Sequence, residues 1–228
     1  MYELSRVRLH SVGPAGARYQ DVVLDFSGVG AAITAPKQDA LFNAGIHAEG
    51  PVRRPSPASV LFLENGGGKS VLIKLIFSVM LPGRRQVVGT TSTKVLEKFV
   101  GAKDVSHVVL EWLHVESGQR VITGKVSEWR GHVVSADSEN LVDSWYCFRP
   151  TPELSLESLP LTTDNRLLTM SGFHDKLAAV HLAEPELELF WTRRHHEWTG
   201  RLDGLGLDTE LFRYQRAMNA GEGEAADA

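Results

Sequence analysis

Alternating apolar and polar positions at the start of the chain predict an antiparallel β-hairpin. Residues 4–9 alternate in this way, as a half-buried strand does. Gly13 and Pro14 then punctuate the chain as a turn, and residues 22–26 carry the pattern of the returning strand. Residues 27–58, rich in Gly, Pro and Ala, predict a long surface insertion after the hairpin.

A second group of strands is predicted in the middle of the chain. Residues 107–113 and 120–126 have strand patterns, and residues 117–119 between them have the composition of a hairpin turn. A short helical piece precedes them at residues 95–100, and residues 144–148 predict a further strand. Residues 107–148 are therefore expected to form an antiparallel β layer.

A continuous apolar run at residues 59–63 is followed by a run of glycines and a second apolar run. The first run is typical of a buried parallel strand. The second, residues 71–81, is apolar on almost every side and predicts a helix buried in the core, which Pro82 and Gly83 end. It is too short to span a membrane.

A helix that begins at residue 185 is predicted in the last part of the chain. Pro185 suits a first helical position and Gly204 suits a stop. The positions at helical spacing between them are Leu187, Trp191, Arg194, Trp198 and Leu202.

Composition narrows the class of protein. The chain has 228 residues and a net charge of −4, so it lacks the global basic field that drives nucleic-acid binding by itself. Its single cysteine, Cys147, cannot form an internal disulfide and stands among aromatic residues, as a packed strand thiol does. The start of the chain has no apolar signal-peptide core and no run is long enough to span a membrane, so a cytoplasmic protein is expected.

The order strand, glycine-rich loop, Gly-Lys-Ser and helix is the arrangement of a phosphate-binding P-loop. Glycines allow the backbone to wrap around phosphate with its N–H groups pointing inward, and the positive end of the following helix adds to the same spot. Lys69 would reach the β- and γ-phosphates, and the Ser70 hydroxyl would bind Mg²⁺. Leu63 stands where the full pattern has its first glycine, and the predicted strand and helix compensate for that departure. A flexible glycine turn followed by an incidental Lys-Ser is the alternative.

These features resemble the N-terminal head segment of SMC-like ATPases, the group that contains SMC, MukB-like and RecN-like proteins. The opening hairpin and the Asn-Gly-Gly-Gly-Lys-Ser loop carry the resemblance. It implies an α/β fold, the N-terminal lobe of an ABC-type P-loop NTPase head with an antiparallel β layer, which binds ATP and Mg²⁺. The residues that it assigns to the nucleotide are Asn65, Gly66, Gly67, Gly68, Lys69, Ser70 and Val71, with Lys69 also the catalytic residue.

The resemblance makes two further assignments, one with a candidate and one without. Gln215 falls where the family has its glutamine loop and is therefore the candidate second Mg²⁺ contact beside Ser70; a surface glutamine on a helix is the alternative. The family's arginine loop has no match, although Arg84, Arg85 and Lys94 lie in that region. The insertion at residues 27–58 is longer than the family leads one to expect.

The carboxylate pair that family heads need for hydrolysis is not evident in this chain. Glu111 lies on an alternating strand and is interpreted as a cross-strand surface carboxylate. The acidic pair and the signature loop are therefore expected from the C-terminal half of the same head. The resemblance further implies a homodimer with ATP sandwiched between heads, DNA held by coiled coils, kleisin-like or accessory subunits, a nucleoid-associated location and no membrane.

Two alternatives stay open, a stand-alone P-loop phosphotransferase and a nucleotide-sensing module without catalysis. The phosphotransferase would need a lid with arginines and an acidic substrate-binding residue, and neither is apparent. Arg193 to Glu197 invites a metal or DNA hypothesis, but His195 and His196 point about 100° apart on a helix and cannot share a metal. A solvated helix face is the preferred interpretation there.

Overall fold

A computed structural model of the chain describes residues 1–33, 51–60, 62, 68–83, 96–164 and 166–220. The strands are β1 (Tyr2–Val12), β2 (Tyr19–Asp25), β3 (Val105–His114), β4 (Arg120–Trp129), β5 (Leu141–Phe148), β6 (Thr162–Thr163), β7 (Arg166–Leu167) and β8 (Phe190–Thr192). The α-helices are α1 (Lys69–Met80), α2 (Met170–Ala183), α3 (His195–Gly204) and α4 (Thr209–Ala220). Short 3₁₀ turns lie at Leu96–Phe99, Arg130–His132, Ser138–Asn140 and Pro185–Leu187.

Six of the strands form one antiparallel sheet in the order β2-β1-β3-β4-β5-β8. The predicted opening hairpin is confirmed as β1 and β2, in which Leu9 faces Val22. The predicted central strands are confirmed as β3, β4 and β5. Gly118 takes a left-handed φ of 72° in the turn between β3 and β4, where glycine has no steric penalty. Chain order and spatial order agree closely because hairpins need few linking residues.

One face of the sheet packs against α1, α3 and α4. Alternate residues of a strand point to the same face, so β3 contributes Val108, Leu110 and Trp112 to this side. Trp198 of α3 and Phe212 of α4 pack into the same cluster. Helix α1 is therefore held between the sheet and two later helices, as its all-round apolar sequence predicts.

The opposite face packs against α2 and the segment that precedes it. Tyr146 and Phe148 of β5 point to this side, next to Phe173 and Leu177 of α2. The sheet is thus covered by helices on both faces, which makes the molecule an α/β fold. Cys147, between Tyr146 and Phe148 in sequence, points to the other face of the sheet, the one covered by α1 and α3. Its side chain is buried, and burial raises the pKa of its thiol.

Helix α2 has no counterpart in the sequence prediction. Thr169 caps it, because its hydroxyl accepts a hydrogen bond from the Gly172 N–H at 3.1 Å. Met170, Phe173 and Leu177 form its buried stripe at helical spacing. That stripe and the cap residue were a signal available in the sequence.

The prediction of one continuous helix from residue 185 is wrong in its first part. Pro185–Leu187 is a 3₁₀ turn, and Phe190–Thr192 forms β8, in which Trp191 pairs with Tyr146 of β5. Between residues 185 and 204 the α-helix covers His195–Gly204, and it ends at the predicted glycine. Residues 190–192 form a strand because the free edge of β5 has backbone N–H and C=O groups that need hydrogen-bond partners, and a helix at this place would not supply them.

Glu111 is a second correction, because its side chain is buried rather than at the surface. The residue is 1% exposed. It accepts two hydrogen bonds from the Arg6 guanidinium, one of them at 2.9 Å, and the Arg120 Nε lies 3.8 Å away. Arg6 of β1 and Glu111 of β3 therefore form a buried ion pair, which the segment before α2 covers through Glu157. A buried charge is stabilised by an opposite charge beside it.

The run at residues 59–63 does not have the predicted conformation where the structure describes it. Residues 59, 60 and 62 are not in a strand, and Val60 and Phe62 are 82% and 92% exposed. None of these three residues pairs with a strand, so the expected parallel strand is not seen at the described positions. A strand without a neighbouring strand leaves its backbone N–H and C=O groups without partners in a sheet.

The insertion at residues 27–58 is described at its two ends. Ala32 and Arg53 form an isolated antiparallel bridge, and the Ile33 N–H donates to the Val52 carbonyl at 2.8 Å. Arg54 forms an ion pair with Glu3 of β1. The two ends of the insertion are therefore joined to each other and fastened to the first strand.

Candidate phosphate-binding site

Helix α1 begins at the Gly-Lys-Ser sequence, as predicted. Gly68 is its N-cap residue and has a left-handed backbone with φ 90°. The Gly68 carbonyl accepts the first helical hydrogen bond, from the Leu72 N–H at 2.8 Å. Lys69 and Ser70 are the first two helical residues, and the first turn contains no acidic side chain. This helix end therefore carries the positive half of the helix dipole with no nearby carboxylate on the same turn to offset it.

The two halves of α1 have different surroundings. Lys69 and Ser70 are exposed, whereas all residues from Phe77 to Met80 are buried. Two tryptophans hold the buried half: Trp145 Nε1 donates to the Ser78 carbonyl at 3.1 Å, and Trp198 Nε1 donates to the Val79 carbonyl at 2.7 Å. The helix is thus anchored at its C-terminal end and presents its N-terminal end to solvent.

The turn between β1 and β2 lies directly against Gly68. The Tyr19 hydroxyl donates a hydrogen bond to the Gly68 carbonyl at 3.3 Å. A Cβ atom on Gly68 would lie 2.9 Å from the Tyr19 oxygen and 3.3 Å from the Ala17 Cβ. Glycine is thus required here both by its positive φ and by this close approach.

Part of the predicted loop lies outside the described residues, namely Asn65, Gly66 and Gly67, together with Arg84, Arg85 and Lys94 of the arginine-loop region. The described part, Gly68 to Val71, agrees with the predicted helix start. Tyr19 was not found from the sequence, because 49 residues separate it from Gly68 and no local pattern links them.

Gln215 lies in the second half of α4, and its side chain is exposed. Helix α4 packs beside α1: the Phe212 ring lies 6.5 Å from that of Phe77 and 5.8 Å from that of Trp112, centre to centre. The helix that bears Gln215 is therefore on the same face of the sheet as α1. Its role as a second Mg²⁺ contact stays a prediction.

The charged segment before and within α3 is solvated, as the sequence indicates. Arg193, Arg194, His195 and His196 are all exposed. The His195 ring rests edge-on against Trp145 at 5.1 Å. The described part of the chain contains no group of three or more His, Cys, Asp or Glu side chains that could hold a metal ion.

A buried polar cluster lies behind α1 and was not predicted. Lys125 Nζ lies 3.3 Å from the Asp143 carboxylate, which also accepts a hydrogen bond from the Ser127 hydroxyl at 2.6 Å. Ser78 of α1 lines the same cavity, which has a volume of about 20 Å³. A cavity of this size and polarity has room for one water molecule. The cluster joins β4 and β5 beneath the helix.

Comparison with known proteins does not add a family or a relative: no family model matches the chain, and no curated protein matches it. Of the helices that the structure describes, none combines the length and the apolarity needed to cross a bilayer.

Proposed function

We propose that the chain binds Mg²⁺-ATP through residues 65–70 and is the N-terminal part of an SMC-like, ABC-type ATPase head. The observation that carries this proposal is the start of α1. The Gly-Lys-Ser sequence coincides with the first turn of a well-anchored helix, directly after a glycine with a left-handed backbone. A sequence motif alone has many incidental matches; the same motif at a helix start supplies the helix half of the strand–loop–helix context of a P-loop.

Each residue has a defined task in the proposed site. The backbone N–H groups at the start of α1 would donate to phosphate oxygens, assisted by the helix dipole. The Lys69 ammonium would neutralise charge on the β- and γ-phosphates, and the Ser70 hydroxyl would bind the metal ion. Mg²⁺ held there would offset negative charge on the phosphates. Exposure of Lys69 and Ser70 supports these tasks because a ligand needs access to both.

Exposed apolar residues before the loop support the proposal that another segment of the ATPase head packs there. Val60 and Phe62 expose large apolar side chains shortly before the loop. Exposed apolar surface is found where another segment or partner covers it. We attribute that segment to the C-terminal half of the same head, which would also supply the acidic pair and the signature loop for hydrolysis. Head dimerisation around ATP, action on DNA and binding of accessory subunits belong to that whole protein.

A titration with a charge-removing variant tests the site. Removing the Lys69 ammonium takes away a charge-assisted contact to phosphate, so Lys69→Ala should weaken Mg²⁺-ATP binding at least about tenfold. ¹H–¹⁵N NMR titration measures weak affinities and reports the fold at the same time. Lys103→Ala, which removes an exposed lysine next to β3, is the matched control and should bind like the wild type. Equal affinity of the Lys69→Ala variant and the wild type would contradict the P-loop assignment.

A further inference from the structure

Tyr19 and Leu72 bind the same backbone oxygen. The Gly68 carbonyl accepts the Tyr19 hydroxyl at 3.3 Å and the Leu72 N–H at 2.8 Å. The second of these is the bond that starts α1. The Tyr19 side chain therefore helps to fix the backbone of Gly68, the residue at which the loop ends and the helix begins.

The hairpin turn that leads into Tyr19, the first residue of β2, is itself tightly held. Arg18 donates to the Ser11 carbonyl at 3.1 Å and to the Gly13 carbonyl at 3.2 Å, and forms an ion pair with Asp104 at 2.5 Å. Ser11 has a left-handed backbone with φ 52°, and its carbonyl also accepts the Ser106 hydroxyl at 2.5 Å. A non-glycine residue persists in this conformation only where its surroundings hold it there.

Space between the turn and the helix start is filled. Ala17 and Tyr19 both approach the position of a Cβ atom on Gly68 to within 3.3 Å or less. A shift of the turn toward α1 would therefore displace Gly68, and a shift away would break the bond from Tyr19. The braced turn thus sets where the backbone of Gly68 lies.

We infer that Tyr19 is a positioning residue for the phosphate-binding loop, acting through the bond from its hydroxyl to the Gly68 carbonyl. This inference rests on the proposed nucleotide-binding function. A cradle of backbone N–H groups binds phosphate well only if those groups are already oriented, since reorienting them on binding costs free energy. Tyr19 supplies that orientation from the β-hairpin and makes no contact with phosphate itself.

Hydrogen exchange tests the positioning without any ligand. Tyr19→Phe removes the hydroxyl and retains the ring. At 3.3 Å this bond is longer than most O–H···O hydrogen bonds, so its loss corresponds to about a two- to threefold change in the opening equilibrium. The Leu72 amide should therefore exchange about two- to threefold faster in Tyr19→Phe. Tyr2→Phe is the matched control, because Tyr2 lies at the other end of β1, against His114. An unchanged Leu72 exchange rate in Tyr19→Phe would overturn the inference.

Binding measurements test the consequence for phosphate. We expect Tyr19→Phe to weaken the binding of Mg²⁺-ATP and of Mg²⁺-tripolyphosphate by the same factor, about two- to threefold, while Tyr2→Phe leaves both unchanged. A loss for ATP alone would mean that Tyr19 contacts the nucleoside, and unchanged affinity for both probes would mean that the bond is only structural; either result overturns the inference. Lys69→Ala in the same series separates the two proposals. If it binds ATP like the wild type, the proposed function fails, and the exchange of Leu72 alone then decides whether Tyr19 positions Gly68.

Discussion

Acid should destabilise the fold through His107. This residue of β3 is fully buried, and within the described part of the chain neither of its ring nitrogens has a hydrogen-bond partner. Its ring centre lies 4.6 Å from that of Phe173 and 6.2 Å from that of His10. Burial lowers the pKa of His107 from 6.5 to about 3, and the neighbouring His10 and Arg8 add to this effect when they are charged.

The direction of the pH effect follows from that depressed pKa. As the pH falls below 6.5, the unfolded chain binds a proton at His107 and the folded chain does not. The contribution of His107 to stability is complete above pH 6.5 and decreases by about 1.4 kcal/mol per pH unit down to the folded pKa of about 3. Between pH 6.5 and pH 4.5 the loss from this residue is therefore about 3 kcal/mol.

Urea unfolding at pH 7 and at pH 4.5, followed by tryptophan fluorescence, measures this loss. Other groups titrate alike in the wild type and in His107→Leu, which has a side chain of similar size and no proton to bind. The variant should lose about 3 kcal/mol less than the wild type over this interval. His196→Leu, in which an exposed histidine is replaced, should lose as much as the wild type. Equal losses for His107→Leu and the wild type would refute the reasoning.

Four other predictions concern the buried charges and the candidate site. Glu111→Ala leaves Arg6 buried without its main partner and should lower the free energy of unfolding by about 3–5 kcal/mol, whereas truncation of Glu157, the exposed partner of Arg6, should cost about 1 kcal/mol or less; chemical denaturation compares the two. Gly68→Ala should weaken ATP binding, because it places a Cβ 2.9 Å from the Tyr19 oxygen at a φ of 90°. An NMR titration in which the variant binds ATP as tightly as the wild type would contradict this prediction. ATP hydrolysis by the chain alone should stay at background, so robust turnover would favour the phosphotransferase hypothesis. If Gln215 contacts the metal, Mn²⁺ in place of Mg²⁺ should broaden its side-chain NMR signal once ATP is bound, and a sharp signal would contradict that assignment.

Local patterns in the sequence were sufficient to predict the hairpin, the central strands and α1. A glycine, a run of apolar residues and a following Pro-Gly determine where α1 begins and ends, because these residues act on their own backbone. Short runs rich in apolar and β-branched or aromatic residues predict β3, β4 and β5 in the same way, because such residues favour strands. The phosphate-binding motif belongs with these features, because its residues are consecutive.

Tertiary contacts decided the features that the sequence pattern did not. Trp191 and Trp198 have the spacing of one helix, but the open edge of β5 draws Trp191 into a strand while Trp198 stays helical. Glu111 has the alternation of a surface residue, and its burial depends on Arg6, which lies 105 residues away in sequence on the neighbouring strand β1. Tyr19 meets Gly68 only because a hairpin and a helix pack together. Sequence periodicity records which side of an element is apolar; it carries no information about which backbone edges, charges or hydroxyls will be brought opposite one another, and only the packed fold supplies that.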